Sequence, residues 1–451
     1  MKQERGLLIN LKNMSNIVII SFAFNQNRLS GYYNSLTQEL QKNNNILYIN
    51  TYFQNTNKQD VFFEVTEEQI KNFKPDLIIT FNNVISENIY KNTNCPVFIL
   101  EADNYGYWSN KNIPVGYLDR IYFGASQKGR LKKYMEIFPL LKKDRFIEFK
   151  NATDVDIVKG EKVEQDIDIS IIATVVGLNS NNITKFLELN VGNKDKMEKF
   201  KQILQKAKFN IDFVSEEEYK FLNNTNYNEL FSLISYLNRV RTLDSLSDLD
   251  LKVFGDFHYI NLLSQSLPLL IPCLQAQKVA TSEENATIYN RSKVSLNLHF
   301  AHNTLDETSG YSWRVCDVLA TNSALLSTYC PAIENDFGKW VKIPMFHNNY
   351  EAYHLAKKLL EEENYREDIA LSSQNAIREG RFSFEDRVKD IEKIFSLKPS
   401  QELKEVQIFL QNNNIPHSIK EKHLLRKFEK NFIRPIIKKL KISSSKNKSK
   451  Y

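Results

Sequence analysis

Asn297 and His299 close a strand-like stretch, Val294 to His299, and at the end of a buried strand both side chains would point into a crevice. Gly310, Tyr311 and Ser312 follow after a short loop and lead into a helical pattern carrying Arg314 and Asp317. Free backbone N–H groups in the first turn of such a helix, with a guanidinium nearby, form an anion site suited to a diphosphate. A carboxylate at the depth of Asp317 can accept hydrogen bonds from ribose hydroxyls. An ordinary capped helix with a solvated Arg/Asp pair has the same spacing, and on spacing alone both readings stand.

Other chemistries find little in the chain. Neither a Walker A sequence nor a GxGxxG occurs, which argues against a kinase or a conventional dinucleotide dehydrogenase, and no GxSxG or HExxH is present. The pairs Asp154/Asp156, Asp166/Asp168 and Asp248/Asp250 have the spacing to share a divalent cation, yet solvated faces explain them as readily. His299 and His302 can begin a metal site, but no third ligand stands at suitable spacing, and a polar cleft lining is the better reading. The four cysteines show no CxxC spacing and read as reduced thiols.

The elements that must position these residues are short apolar strands alternating with helices, the pattern of parallel sheets covered on both faces. Strands are predicted at 16–21, 46–50, 76–80, 95–100 and 120–124, with helices at 31–40 and 66–73. The pattern restarts at 168–173 and continues through strands at 251–255, 294–299 and 323–327, with helices at 312–320, 350–363 and 385–395. Residues 180–245 read as a polar helical insertion. Two successive α/β units meeting near 155–165 imply a cleft between two sheets, with ligands at the carboxyl ends of the strands. The expected division is a leader or alternative start over 1–13, an N-terminal acceptor domain over 14–160, a C-terminal nucleotide-sugar domain over 161–397 and a helical basic tail over 398–451. Gly31, after the first strand's loop, is either a point of close ligand approach or simply a helix-start glycine.

The chain has 451 residues and a net charge of +6, with 42% apolar and 25% charged residues. No run approaches the ~20 apolar residues that cross a bilayer. Between 421 and 450, 11 Lys/Arg stand against Glu421 and Glu429, a net of +9 that leaves −3 for everything else. A basic body that would bind nucleic acid is therefore absent. Leu424, Phe428, Phe432, Ile436 and Leu440 recur every four residues in that tail. Such a basic amphipathic helix can lie on an anionic membrane or pack on its own protein.

The stretch from Ile288 to Ser327 resembles the C-terminal domain of bacterial GT-B glycosyltransferases of the CgeB-like, spore-maturation kind. Tyr289, Asn290, Ser292, Lys293, Leu296, Asn297 and His299 fit the first part of that pattern, and Ser312, Arg314, Val315, Leu319 and Ala320 the second. Phe254-Gly255-Asp256 looks like the family's preceding strand and glycine, and Arg381 to Val388 like its closing segment. Looser similarity extends over Pro96 to Asp103, Phe149 to Asp154 and Asp168 to Ala173. Two positions depart. The family's glutamate is Asp317 here, and its glycine after the alanine is replaced by Thr321-Asn322, where Asn tolerates positive φ.

The resemblance implies an α/β fold of the GT-B type, two Rossmann-like domains facing across a cleft, with a helical C-terminal extension. It implies transfer of a sugar from a nucleotide-activated donor to a cell-surface glycan, lipid-linked or protein acceptor, without cofactor or obligatory metal. Gly255, Asn297, His299, Gly310, Tyr311, Ser312, Arg314, Asp317 and, more weakly, Lys293 would hold the donor, and Gly31 would lie on the acceptor side. An inverting reaction needs a general base, for which Asp103 is the candidate and Glu101 the second; a retaining one need not have it. The basic tail fits a cytoplasmic enzyme working near the inner face of a membrane. A CDP-polyol phosphotransferase-type enzyme of the same fold and a non-catalytic nucleotide- or glycan-binding module are the alternatives.

Overall fold

The computed structural model describes residues 14–23, 31–52, 67–102, 115–176, 238–258, 267–277, 281–299, 310–398 and 407–410, together with 195, 198–199, 202, 260, 264–265 and 279. The sequence features placed at 1–13, at Asp103, at His302 and in the basic helix of 421–451 lie outside the described residues. So does most of 180–245, of which 238–245 is helical.

The first sheet is built from β1 (Asn16–Ala23), β2 (Asn45–Tyr52), β3 (Leu77–Phe81), β4 (Val97–Leu100), β5 (Ile121–Ala125) and β6 (Phe146–Glu148). Far downstream, β14 (Gln407–Leu410) joins its edge, giving the order β14-β2-β1-β3-β4-β5-β6. All six pairings are parallel. Side chains alternate across a strand, so an unbroken apolar run must be covered on both sides. Ile17 and Ile19 face one cluster, built with Tyr33, Leu36 and Leu40 of α1 (Gly31–Gln41). Val18 and Ile20 face another, with residues of α2 (Glu87–Asn92) and α3 (Lys128–Ile137).

The second sheet contains β7 (Ile167–Ile172), β9 (Leu251–Phe254), β11 (Ser292–Asn297), β12 (Ala324–Thr328) and β13 (Met345–Phe346), in the order β13-β12-β11-β7-β9, again all parallel. A short parallel pair, β8 (Val175–Val176) with β10 (Phe257–His258), continues past the carboxyl ends of β7 and β9. Its core takes in residues of α4 (Ser282–Arg291), α5 (Arg314–Leu319), α6 (Pro331–Phe337), α7 (Asn349–Glu361) and α8 (Glu363–Glu379). The sequence reading did not contain α8. Its inward residues are Arg366, Ile369, Ala370, Ser373, Ala376 and Ile377, too small and polar to register as an apolar stripe.

Three expectations are corrected. The last helix, α9 (Phe384–Ile394), was expected to close the second unit, but Phe384, Val388 and Ile391 pack with Ile17, Leu36 and Leu40 of the first. The chain crosses back at Phe382 to Phe384, where the Thr153 N–H donates to the Phe382 carbonyl at 2.9 Å and the Phe384 N–H to the Thr153 carbonyl at 3.1 Å. The outward crossing near 153 and the return near 383 therefore run side by side, and a reciprocal capping box of Ser383 and Asp386 starts α9 immediately. Within the tail expected to be helical from 398, residues 407–410 form β14. Finally, Asn322 is not among the described residues with positive φ; its turn is held by Asn290, whose amide oxygen accepts the Asn322 N–H at 3.2 Å.

Candidate functional site

Parallel strands end together, so the loops at the carboxyl ends of one sheet form a common rim. At the carboxyl end of β11 the Asn297 side chain is fully buried. Its Oδ1 accepts from the Ser312 hydroxyl at 3.0 Å and from Arg314 at 3.3 Å. Its Nδ2 donates to Ser327 Oγ on β12 and to His299 Nε2, each at 2.9 Å. The amide thus makes all four of its hydrogen bonds inside the protein. The Asn297 side chain is turned into the protein, where it ties Ser312, Arg314, Ser327 and His299 together.

His299 is buried, with its backbone N–H donating to Thr328 Oγ1 at 3.1 Å. Burial, with Arg314 and Arg239 adding like charge, lowers its pKa to about 3, so the ring is neutral. Its Nδ1 is buried and has no hydrogen-bond partner among the described residues. Arg239 is itself anchored on the Thr174 and Leu298 carbonyls at 2.9 and 3.1 Å. Burial raises the pKa of the Tyr289 hydroxyl, with the nearby Arg314 charge opposing. Arg314 remains half-buried and makes no ion pair with a carboxylate among the described residues.

The helix start does not have the form expected of an anion site. Helix α5 begins at Arg314, two residues beyond Ser312, and has only six residues. Ser312 spends its hydroxyl on Asn297 and caps nothing. A helix this short offers little dipole, so the local positive charge rests on the Arg314 guanidinium.

Other expected donor contacts are used structurally. Lys293 lies at the opposite, amino end of β11, paired with Asp168 at 2.7 Å, and is not part of this rim. Gly255 has φ +125°, and a Cβ there would meet the Ala173 carbonyl oxygen at 2.4 Å, so the glycine allows β7 and β9 to close together. The Tyr311 hydroxyl donates to Asp336 at 2.8 Å, and its carbonyl accepts from Asn151 at 2.7 Å. Gly310 abuts Ser126 just past β5; an added Cβ would meet that hydroxyl at 2.7 Å. Asp317 accepts from Thr153 Oγ1 at 2.7 Å, so the carboxylate expected to hold a ribose holds the interdomain strand crossing. Glu101 is likewise taken, by Arg130 at 2.9 Å and Tyr134 at 2.7 Å, which removes it as a free base. Gly31 opens α1 directly before Tyr32.

These contacts show that the two rims face each other. Asp336 of α6 accepts from Gln127 at the end of β5 and from Lys150 just past β6. Tyr32 stacks on Trp313 with ring centroids 3.7 Å apart and meets Phe384 edge-on at 4.9 Å. Residues of both units thus surround 310–313. The sequence reading missed Gln127, Lys150, Thr153, Trp313 and Asp336, since single polar or aromatic residues with distant partners leave no spacing signal.

Two facing parallel sheets, joined by a double crossing and with the last helix returned to the first unit, were compared with solved structures. Sucrose-phosphate synthase from Thermosynechococcus elongatus superposes with a TM-score of 0.53 at 9% identity, covering 85% of this chain and 98% of that one. A glycosyltransferase from Rickettsia africae gives a TM-score of 0.50 at 11% identity, with the same coverage of 85% and 98%. The fold is GT-B. Within it, residues 238–393 match the model of the glycosyl transferase-like family. That match contains β9, β11, the Asn297 cluster and α5. No curated protein matches the chain.

The GT-B seam has a measurable electrostatic signature. Burial raises the Asp317 pKa to about 6, with the Thr153 hydrogen bond and Arg314 opposing. The folded state then holds a proton that the unfolded chain releases near pH 4. The associated stability is present below pH ~4 and lost as pH rises through about 6. Asp317→Asn keeps an oxygen for Thr153 and removes the charge. Chemical denaturation at pH 7.5 should show the variant stabilised by about 1–3 kcal/mol, with the difference vanishing near pH 4.

Proposed function

We propose that this chain is a nucleotide-sugar glycosyltransferase whose donor diphosphate is held at the rim formed by Arg314 and His299. The observation that carries the reading is Arg314: a half-buried guanidinium, held by the Asn297 amide oxygen, with no carboxylate paired to it among the described residues. A cation held in that way at the carboxyl end of a parallel sheet is suited to an anionic ligand. The glycosyl transferase-like match over the same residues supports a sugar donor, and the narrower CgeB-like reading rests on the motif around Tyr289, Asn297 and Arg314.

In the proposed reaction the bond between the anomeric carbon and the diphosphate oxygen breaks. The electron pair leaves with the diphosphate, and an acceptor hydroxyl oxygen bonds to the anomeric carbon and loses its proton. Arg314 would stabilise the charge developing on the departing phosphate. This is a role that a divalent ion fills in other transferases, so the reaction is proposed to need no metal. The acceptor, a surface glycan, lipid-linked sugar or protein, would enter from the first unit. Side chains of that unit at the seam include Tyr32, Gln127 and Lys150.

A thermal-shift panel of nucleoside diphosphates and nucleotide sugars, with and without EDTA, tests this. A ligand at a hundredfold excess over its Kd stabilises by about 2.7 kcal/mol, a shift of several degrees. One nucleotide class should give that shift with EDTA present, and Arg314→Ala should lose it. A shift retained in Arg314→Ala would move the site elsewhere; a shift for CDP-polyols alone would replace the sugar; a shift without turnover on any acceptor would favour a binding module. The basic tail is proposed to dock on anionic lipid. A chain ending at residue 420 should keep the nucleotide shift but no longer sediment with phosphatidylglycerol vesicles, and unchanged sedimentation would contradict that role.

A further inference from the structure

His299 carries a buried ring nitrogen with no partner among the described residues, and its neighbours determine whether that nitrogen holds the ring proton. Arg314 has only N–H donors, so the Asn297 atom facing it at 3.3 Å must be the amide oxygen. The Ser312 hydroxyl meets the same oxygen. With the oxygen turned that way, the amide NH2 faces Ser327 and His299. An NH2 group donates and does not accept, so His299 Nε2, 2.9 Å away, must present its lone pair. In a neutral imidazole the single ring proton is then on Nδ1. That nitrogen is buried without a hydrogen-bond partner among the described residues. The residue as a whole is 9% exposed. A buried N–H donor left unpaired is costly, and such groups in native proteins call for an explanation.

We infer that Asn297 holds His299 as the Nδ1–H tautomer and that this N–H donates to a phosphate oxygen of the nucleoside diphosphate. The inference rests on the proposed donor site and names the atom that completes it. The ring is neutral and flanked by Arg314 and Arg239. It therefore adds direction to a site whose charge the guanidinium already provides. An uncharged donor of fixed tautomer binds phosphate equally across neutral pH, whereas a solvent-exposed histidine would gain and lose charge near pH 6.5. Asn297 acts here as a positioning residue, since its own hydrogen bonds are all internal.

The test is long-range 1H–15N spectroscopy of the seven histidine rings in the full-length chain between pH 5.5 and 7.5, with His299 assigned by its absence in His299→Gln. The expected spectrum shows a protonated Nδ1, an unprotonated Nε2 and no titration over that range. In Asn297→Asp the facing group can only accept, and the proton should move to Nε2. Adding the nucleoside diphosphate found by thermal shift should shift the Nδ1 proton resonance, and His299→Leu should weaken its binding about tenfold, the value of one hydrogen bond. Inorganic phosphate at the same concentration separates a bare phosphate pocket from a nucleotide site: the inference expects no shift from it at concentrations that saturate with nucleotide. An Nε2–H tautomer, or titration near pH 6.5, overturns the positioning role of Asn297. Nucleotide binding that leaves the Nδ1 proton unmoved and is unaffected by His299→Leu overturns the phosphate contact while the donor-site reading stands. No binding of any nucleotide removes both.

Discussion

A primary amide has two donors and two acceptor positions, and Asn297 uses all four within hydrogen-bonding reach of its own side chain. That single constraint sets most of the candidate site. Ser327 ties the amide to the neighbouring strand, Ser312 and Arg314 bring in the following loop and helix, and His299 is turned by the remaining N–H. Because the amide is fully buried, substituting any one of these partners strands a polar atom away from water. Two groups are left over, the Arg314 guanidinium, which pairs with no carboxylate among the described residues, and the buried Nδ1 of the His299 ring.

Around this cluster the two halves of the chain are coupled by polar contacts. Asp336 gathers Gln127, Lys150 and Tyr311, and Asp317 receives Thr153 from the outward crossing. The Tyr32–Trp313 stack adds apolar area and a defined geometry between α1 and the start of α5. These bonds are satisfied internally, so they fix how one rim meets the other. Trp313, the neighbour of Arg314 in the chain, is one of the residues that meet the first unit.

Much of the architecture was legible because strands buried on both faces read as unbroken apolar runs, and Ile17 to Ile20 or Leu77 to Ile79 admit no other placement. The segment Val294 to His299 was legible as a strand ending in polar groups. The roles of those groups were less so, since sequence shows which residues are adjacent along the chain and not which are paired across it. Lys293 and Asn297 share one strand, yet they stand at opposite ends of it, and the lysine is neutralised by Asp168. Asp317 looked like a ribose acceptor because its partner Thr153 is 164 residues away. Helix α9 was read correctly as a helix and assigned to the wrong half. Its apolar stripe states that it packs but not against what, and only the paired crossing at Thr153 and Phe382 to Phe384 reveals the direction.

The central claim is that Arg314 and His299 receive the diphosphate of an activated sugar. Phosphorus NMR of a nucleotide sugar mixed with the full-length chain addresses it directly, because the two diphosphate resonances report on both binding and bond cleavage. Both resonances should broaden or shift on binding, and with a competent acceptor they should give way to those of the free nucleoside diphosphate. Arg314→Ala should abolish both effects. Resonances that stay unperturbed for every nucleotide sugar at saturating protein would contradict the claim.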